Sequence, residues 1–311
     1  MRTFNYIIIC CCLALSFTAC EEEYIPVNSG EGQKFVVEGY MEAGEDPLPP
    51  YVILTKTFDF YSEINPSQFS DAFVHDAVVT VSDGTVSVPF EEVCFLDLPP
   101  EIRELVAGEF GFNADSLQVN FCVYIDLLDQ LNPTMGKKYD LRILVDGHEI
   151  TATTTIPQHV PVDSMYFTAP PGEPDVALAQ LRVAVSDPAG IRNYYRYFGS
   201  TNGNNYKTVF SSVEEDLFFD GKSFEFQLYN PETTDGDAEP DEFGLYFVGD
   251  TISIKWASID EAYFDFWNTL EFSNANQGPF SSYTRLQSNI NGGLGIWGGL
   301  SVSYYTKVVS Y

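Results

Sequence analysis

The sequence is short of positive charge: 15 Lys and Arg stand against 45 Asp and Glu, a formal net charge of −30. Such a chain repels phosphate, which argues against nucleic acid as a partner. The same balance argues against holding anionic lipid through a basic patch. A cationic partner, a divalent ion or a neutral ligand stays open. Histidine is scarce too: His75, His148 and His159 show no metal-ligand spacing. The nucleophile-elbow pattern G-x-S-x-G, the zincin pattern H-E-x-x-H and the P-loop are all missing. No catalytic residue and no cofactor is therefore assigned. After residue 19 no apolar run reaches the ~20 residues of a spanning helix.

What is present first is a leader. Arg2 supplies a positive start, Ile7 to Phe17 an apolar run, and Thr18-Ala19 two small residues. These are the three parts of a secretory signal, expected over 1–19. The stretch Leu15-Ser16-Phe17-Thr18-Ala19-Cys20 then resembles the lipobox of bacterial lipoproteins, in which the cysteine is acylated after cleavage. Cys20 is thus the expected lipidation site and outer-membrane anchor. Glu21, Glu22 and Glu23 follow, and an acidic run just after the lipid cysteine resembles the surface-export signal of Bacteroidota lipoproteins. Residues 20–33 read as an acidic tether.

With Cys10, Cys11 and Cys12 leaving with the leader and Cys20 acylated, Cys94 and Cys122 remain. An even pair in an oxidising compartment predicts a disulfide, the alternatives being two free thiols or a metal pair.

Tyr and Phe are abundant, at 19 and 25 residues, and both favour strands. Phe35 to Tyr40 and Tyr51 to Thr57 read as strands. Ala77 to Val81 and Tyr139 to Val145 run into Asp83-Gly84 and Asp146-Gly147, strong short hairpin signals. Pro99 to Ala107 reads as a short helix. The expected fold is all-β. An immunoglobulin-like β-sandwich occupies 34–158. A second antiparallel β-domain with a short helix occupies 159–311, the boundary falling in the Pro-punctuated crossing of Pro157, Pro161, Pro170, Pro171 and Pro174. The helix is placed at Asp260–Leu270, with Tyr263, Phe266, Trp267 and Leu270 on one face. Ser301 to Val309 is the expected closing strand.

Several of these pieces resemble one family. They are Phe35-Val36-Val37-Glu38-Gly39, the strand of Tyr139, Leu141 and Ile143, Thr-Thr-Ile-Pro at 154–157, the Asp260/Tyr263/Phe266/Trp267 segment, and Ser288-Asn289-Ile290-Asn291-Gly292-Gly293-Leu294-Gly295-Ile296-Trp297. Together they resemble the Bacteroidota outer-membrane lipoproteins catalogued as domain-of-unknown-function 4249. The resemblance implies an outer-membrane lipoprotein frequently encoded beside a TonB-dependent transporter; it implies neither a known ligand nor a catalytic residue.

Three features invite chemistry. Gly293-Leu294-Gly295-Ile296-Trp297-Gly298 spells G-x-G-x-x-G, but a strand-like stretch follows it where a dinucleotide site needs a helix. The segment reads instead as a tight turn or bulge, with Ile296 and Trp297 packed inward. Asp235, Asp237, Glu239 and Asp241 form a weak calcium candidate that fails the EF-hand template. Tyr194, Tyr195, Tyr197 and Phe198, with Trp256, could offer stacking faces to a ligand, although alternation should send half of them into the core.

The leading expectation is a non-catalytic accessory or binding lipoprotein at the cell surface, partnered with a TonB-dependent transporter. The alternatives are a stand-alone glycan-binding or adhesion lipoprotein and a secreted hydrolase.

Overall fold

The computed structural model describes residues 32–58, 66–109, 119–172, 177–234, 239, 241–275 and 285–310. Cys20 and tether residues 21–31 lie outside the described residues, as do Asp235 and Asp237. The described chain is all-β and sandwich-like, its strands gathered in two sheets.

The strands of the larger sheet's first half are β1 (Phe35–Gly44), β2 (Tyr51–Lys56), β3 (Val78–Ser82), β4 (Ser87–Cys94), β5 (Cys122–Ile125), β6 (Lys138–Val145) and β7 (His148–Thr155). The second half of the chain supplies β8 (Val162–Thr168), β9 (Leu178–Ser186), β12 (Ser223–Leu228) and β13 (Tyr246–Phe247) to the smaller sheet, and β10 (Tyr194–Thr201), β11 (Val213–Glu215), β14 (Thr251–Ile259) and β15 (Leu294–Val308) to the larger one. Helices α1 (Pro66–Asp71), α2 (Pro100–Glu109) and α3 (Glu261–Ala275) interrupt them. The larger sheet runs β11-β10-β14-β15-β1-β2-β5-β4-β3-β6-β7, and in the smaller one β9 pairs with β8, β12 and β13.

Period-two patterning builds these strands. In β6 Tyr139, Leu141, Ile143 and Val145 are buried while Lys138 and Arg142 are exposed. The turn to β7 is Asp146-Gly147, with φ of 50° and 75°. Two positive φ values make the hairpin turn whose twist suits the strands. The Asp83-Gly84 hairpin is looser, because the Asp83 carboxylate accepts the amides of Thr85 and Val86, each at 2.8 Å. The Lys137 ammonium, and then those amides, hold the Asp83 carboxyl down at about 2.

The β4 strand pairs β3 with its first half and β5 with its second, so the sheet turns back on itself there. Val37, Met41 and Leu54 from one layer meet Val81, Leu141 and Ile150 from the other in the first core. A second core packs Tyr195, Ile254 and Trp256 against Leu181, Val183 and Val185 of the smaller sheet. A third lies beneath α3, where Tyr263 and Phe264 cover Tyr194, Ile259 and Leu300. Each fully buried aliphatic or aromatic side chain here contributes roughly 1.5–3 kcal/mol.

The expected boundary at 158/159 falls between the first two cores. Strand pairing nevertheless crosses it, because β15 lies parallel beside β1, from Val36 opposite Leu294 to Gly44 opposite Val302. Ile290 and Trp297 also join the first core, and Gln33–Tyr311 forms one compact unit.

The glycine-rich segment departs from expectation. It is no turn ahead of the last strand but its opening half, since β15 starts at Leu294 and not at Ser301. Ile296 and Trp297 are fully buried, as the inward reading requires. Gly298 lets α3 sit close: a Cβ there would lie 2.5 Å from the Tyr263 ring.

The α3 helix runs five residues past the expected end at Leu270. Asp260 caps it, accepting the Tyr263 amide at 3.2 Å, the Gly299 amide at 3.3 Å and the Thr154 hydroxyl at 2.9 Å. Burial outweighs these donors and pushes the Asp260 carboxyl up to about 6. A raised carboxyl favours folding when protonated. Its contribution is complete below the unfolded carboxylate range near 4 and is lost as pH rises through about 6. Asp260→Asn stays neutral, so the variant is expected to gain on the parent as pH rises from 4 to 7. Urea midpoints of both chains at pH 4.5 and 7 check this; a constant difference contradicts it.

Candidate functional site

The aromatic strand β10 resolves as alternation demands. Tyr195 and Tyr197 face the smaller sheet, while Tyr194 turns to the core under α3 and the Phe198 ring meets Arg196 and Lys255. Trp256 stands opposite Tyr197 on β14. Its ring stacks on Tyr195 with centroids 5.4 Å apart and 25° between planes. Phe226 of β12 meets Tyr195 edge-on at 6.3 Å and lies tilted against Trp256 at 5.9 Å. Glu214 of β11 pairs in register with Tyr195, so its side chain stands on this same face.

A cavity of about 200 Å³ opens among these residues, with Tyr229, Phe210, Ser211 and Gln227 completing its walls. Most of its fixed polar atoms are already engaged. Tyr197 donates to the Tyr229 carbonyl at 3.2 Å and accepts the Tyr229 amide at 2.9 Å. Tyr195 donates to Asp187 at 2.5 Å, and the Trp256 indole donates to the Val160 carbonyl at 2.9 Å. Glu214 has no ion-pair partner among the described residues; Arg192 pairs with Glu215 instead. Lost hydration and then the Glu215 charge raise the Glu214 carboxyl. Burial does the same to the Tyr197 hydroxyl.

The reverse face of β10 carries a buried ionic network. Arg196 donates to the Ser212 hydroxyl at 2.9 Å and to the Tyr263 hydroxyl at 2.5 Å, and lies 3.6 Å from Glu271. Its guanidinium rests 4.0 Å from the centroid of Trp267. Beside it the Lys255 ammonium meets both Glu42 oxygens at 2.7 and 2.9 Å. Glu38 accepts the Tyr40 hydroxyl at 2.9 Å, and burial raises its carboxyl. These groups answer one another, so the network holds strands and helix in place.

The remaining candidates are dispersed. Cys94 and Cys122 face each other across β4 and β5, with Cα atoms 4.1 Å apart, and form the expected disulfide. The bridge leaves His75 with Glu92 as partner and no free thiolate for a metal. His159 sits between the Ser301 carbonyl at 3.0 Å and the Ser303 hydroxyl at 2.9 Å, and burial lowers its pKa. His148 packs edge-on against Phe35, at 5.5 Å. Of the calcium candidates, Glu239 and Asp241 are described and both are exposed. An acidic group that escaped the sequence reading is Asp187, Asp216 and Asp220, with oxygens within 4.8 Å of one another. Each accepts a loop amide, from Gly221, Asn193 and Gly190 respectively, which ties the loops at this end of the sheets together.

In the loop-entropy description a bridge over a separation of 28 residues stabilises by roughly 3–4 kcal/mol. Replacing both cysteines with alanine is expected to lower the urea-unfolding free energy by about that amount. A loss below about 1 kcal/mol contradicts it.

Sequence reasoning found the aromatic strand but missed Glu214, Phe210, Phe226 and Tyr229. They come from a three-residue strand, a loop and the smaller sheet. Nothing local in the sequence marks them as neighbours of Tyr197.

No curated protein matches the sequence. The family model described as "Domain of unknown function (DUF4249)" matches residues 21–306, nearly the whole chain, and the chain belongs to that family.

Proposed function

We propose that this chain is a lipid-anchored binding protein of the outer membrane in a Bacteroidota cell. It captures a small ligand in the cavity beside β10 and serves a TonB-dependent transporter. The observation that carries the binding reading is the cavity itself: aromatic walls on rigid strands, with one carboxylate at the rim. Support for the compartment comes from the lipobox-like stretch ending at Cys20, the acidic run after it and the disulfide. Among the described residues no helix is long and apolar enough to cross a membrane, so lipid on Cys20 supplies the anchor in this reading.

A non-catalytic role fits the lining. Paired-carboxylate hydrolysis needs two carboxyl groups flanking the substrate, roughly 5–9.5 Å apart. Among the described lining residues Glu214 is the single carboxylate.

Trp256 lies in the cavity wall and reports on it. A small-molecule screen on the full chain in detergent, read by tryptophan fluorescence, is expected to yield ligands whose signal Phe210→Ala weakens. Phe210 is 63% exposed, so its loss leaves the core intact. Ligands that bind equally well to Phe210→Ala and Phe226→Leu oppose this cavity as the site. Mild extraction from native membranes is expected to recover the chain with a transporter. Recovery as a lone monomer that binds glycans points instead to the stand-alone adhesin.

A further inference from the structure

We infer that the cavity takes the alkylammonium head of a small organic cation, with Glu214 as the counter-charge and the rings of Tyr197, Phe226 and Tyr229 as walls. The inference rests on the binding reading above and names its ligand class. Four observations lead to it.

The first is the unanswered charge. Glu214 shares a face with Tyr195 and stands near Tyr197, yet no cation among the described residues meets it. The one cation lining the cavity, Arg196, turns its guanidinium to the reverse face and commits it to Ser212, Tyr263 and Glu271. Arg192 lies with Glu215, which pairs with Tyr194 and so points to the other face. The second is the wall. Aromatic faces attract cations through their quadrupole, most strongly where water is excluded. Tyr195, Tyr197, Trp256 and Phe226 are held by stacking and hydrogen bonds, so the rings are preorganised.

The third is what the walls cannot offer. A sugar needs donors as well as acceptors for its hydroxyls. The hydroxyls of Tyr195 and Tyr197 and the indole of Trp256 already serve protein acceptors. Gln227 and Ser211 are left as the side-chain donors, against a full carboxylate acceptor. The fourth is size and field. At about 200 Å³ the cavity falls below the ~300–1,000 Å³ of ordinary drug-sized sites, so it fits a compact head group. The net charge of −30 raises the local concentration of any cation.

The test is calorimetry on the full chain in neutral detergent with four probes: choline, n-butylammonium, the neutral choline isostere 3,3-dimethylbutan-1-ol, and methyl glucoside. At least one ammonium probe is expected to bind, and the neutral isostere to bind at least about tenfold more weakly than choline. Glu214→Gln, at an exposed rim position, is expected to weaken the cation about tenfold with the melting temperature unchanged. Phe226→Leu keeps the charge and removes a wall, and is expected to weaken it several-fold. The inference is overturned if isostere and choline bind alike, or if both variants bind the cation as the parent does. Methyl glucoside binding without either cation overturns it while leaving the binding reading intact. If no probe binds and no screened compound changes Trp256 fluorescence, both readings fall.

Discussion

Gly295→Ala is expected to leave the chain unable to fold. Gly295 has φ +108°, and a Cβ placed there would lie 1.9 Å from the Val37 carbonyl oxygen, 2.8 Å from its carbon and 3.0 Å from its nitrogen. All three are backbone atoms, so no rotamer relieves the overlap. Gly295 and Val37 are partners in the parallel β1–β15 register, and separating them breaks the seam that joins the two halves of the large sheet. Two residues on, Trp297 is fully buried and donates its indole to the Tyr139 carbonyl at 3.2 Å. Asn289 clamps the Trp297 amide and carbonyl at 3.0 and 2.7 Å. A shift of β15 would therefore strain those contacts too. Backbone strain of ~1–3 kcal/mol adds to the steric displacement, giving a loss of about 4 kcal/mol or more, at the extreme of single substitutions. Gly84→Ala is the control. Its φ is +83°, but nothing lies within 4 Å of the added carbon, so it should lose only about 1–2 kcal/mol. Urea unfolding of both variants checks the contrast. A folded Gly295→Ala with stability near the parent would refute it.

That seam also marks where sequence reasoning stops. The hairpin of Tyr139, Leu141 and Ile143 with Ile150 and Ala152 was legible because alternation and the Asp146-Gly147 turn are local signals. Cys94 and Cys122 were legible because few cysteines were left to choose among. The G-x-G-x-x-G segment could be read as inward-packing at Ile296 and Trp297, yet its place in a parallel pair with β1 could not. Val36 and Leu294 are joined by tertiary packing, and no local period encodes it. The cavity divides likewise. Tyr195, Tyr197 and Trp256 were visible as aromatic strand residues, whereas Glu214 joins them because three residues of β11 happen to add to the β10 edge. Lys255 is a further residue that no local pattern singles out. Its partner Glu42 lies 213 residues away, and neither position announces the other.

That pair gives the second large effect. Lys255→Met is expected to cost about 3–5 kcal/mol, because it leaves Glu42 as a buried carboxylate without a counter-charge. Glu42 is 5% exposed and Lys255 7%. Once the ammonium is gone, the Leu48 amide at 3.1 Å is the one donor to Glu42 seen among the described residues. Burial raises the hydroxyls of Tyr51 and Tyr263, and the charge of Glu42 adds to the rise in both. Burying a matched ion pair earns little net stability, because desolvation offsets the attraction; orphaning one member exposes the whole penalty. The double variant Glu42→Leu with Lys255→Met should therefore recover most of the loss, although each change alone is harmful. Urea unfolding of the two single variants and the double closes the cycle. A double variant as unstable as the sum of the singles would mean that the ammonium and carboxylate act independently. Recovery would mean that this pair chiefly specifies how β1 and β14 meet across β15, with little stabilisation of its own.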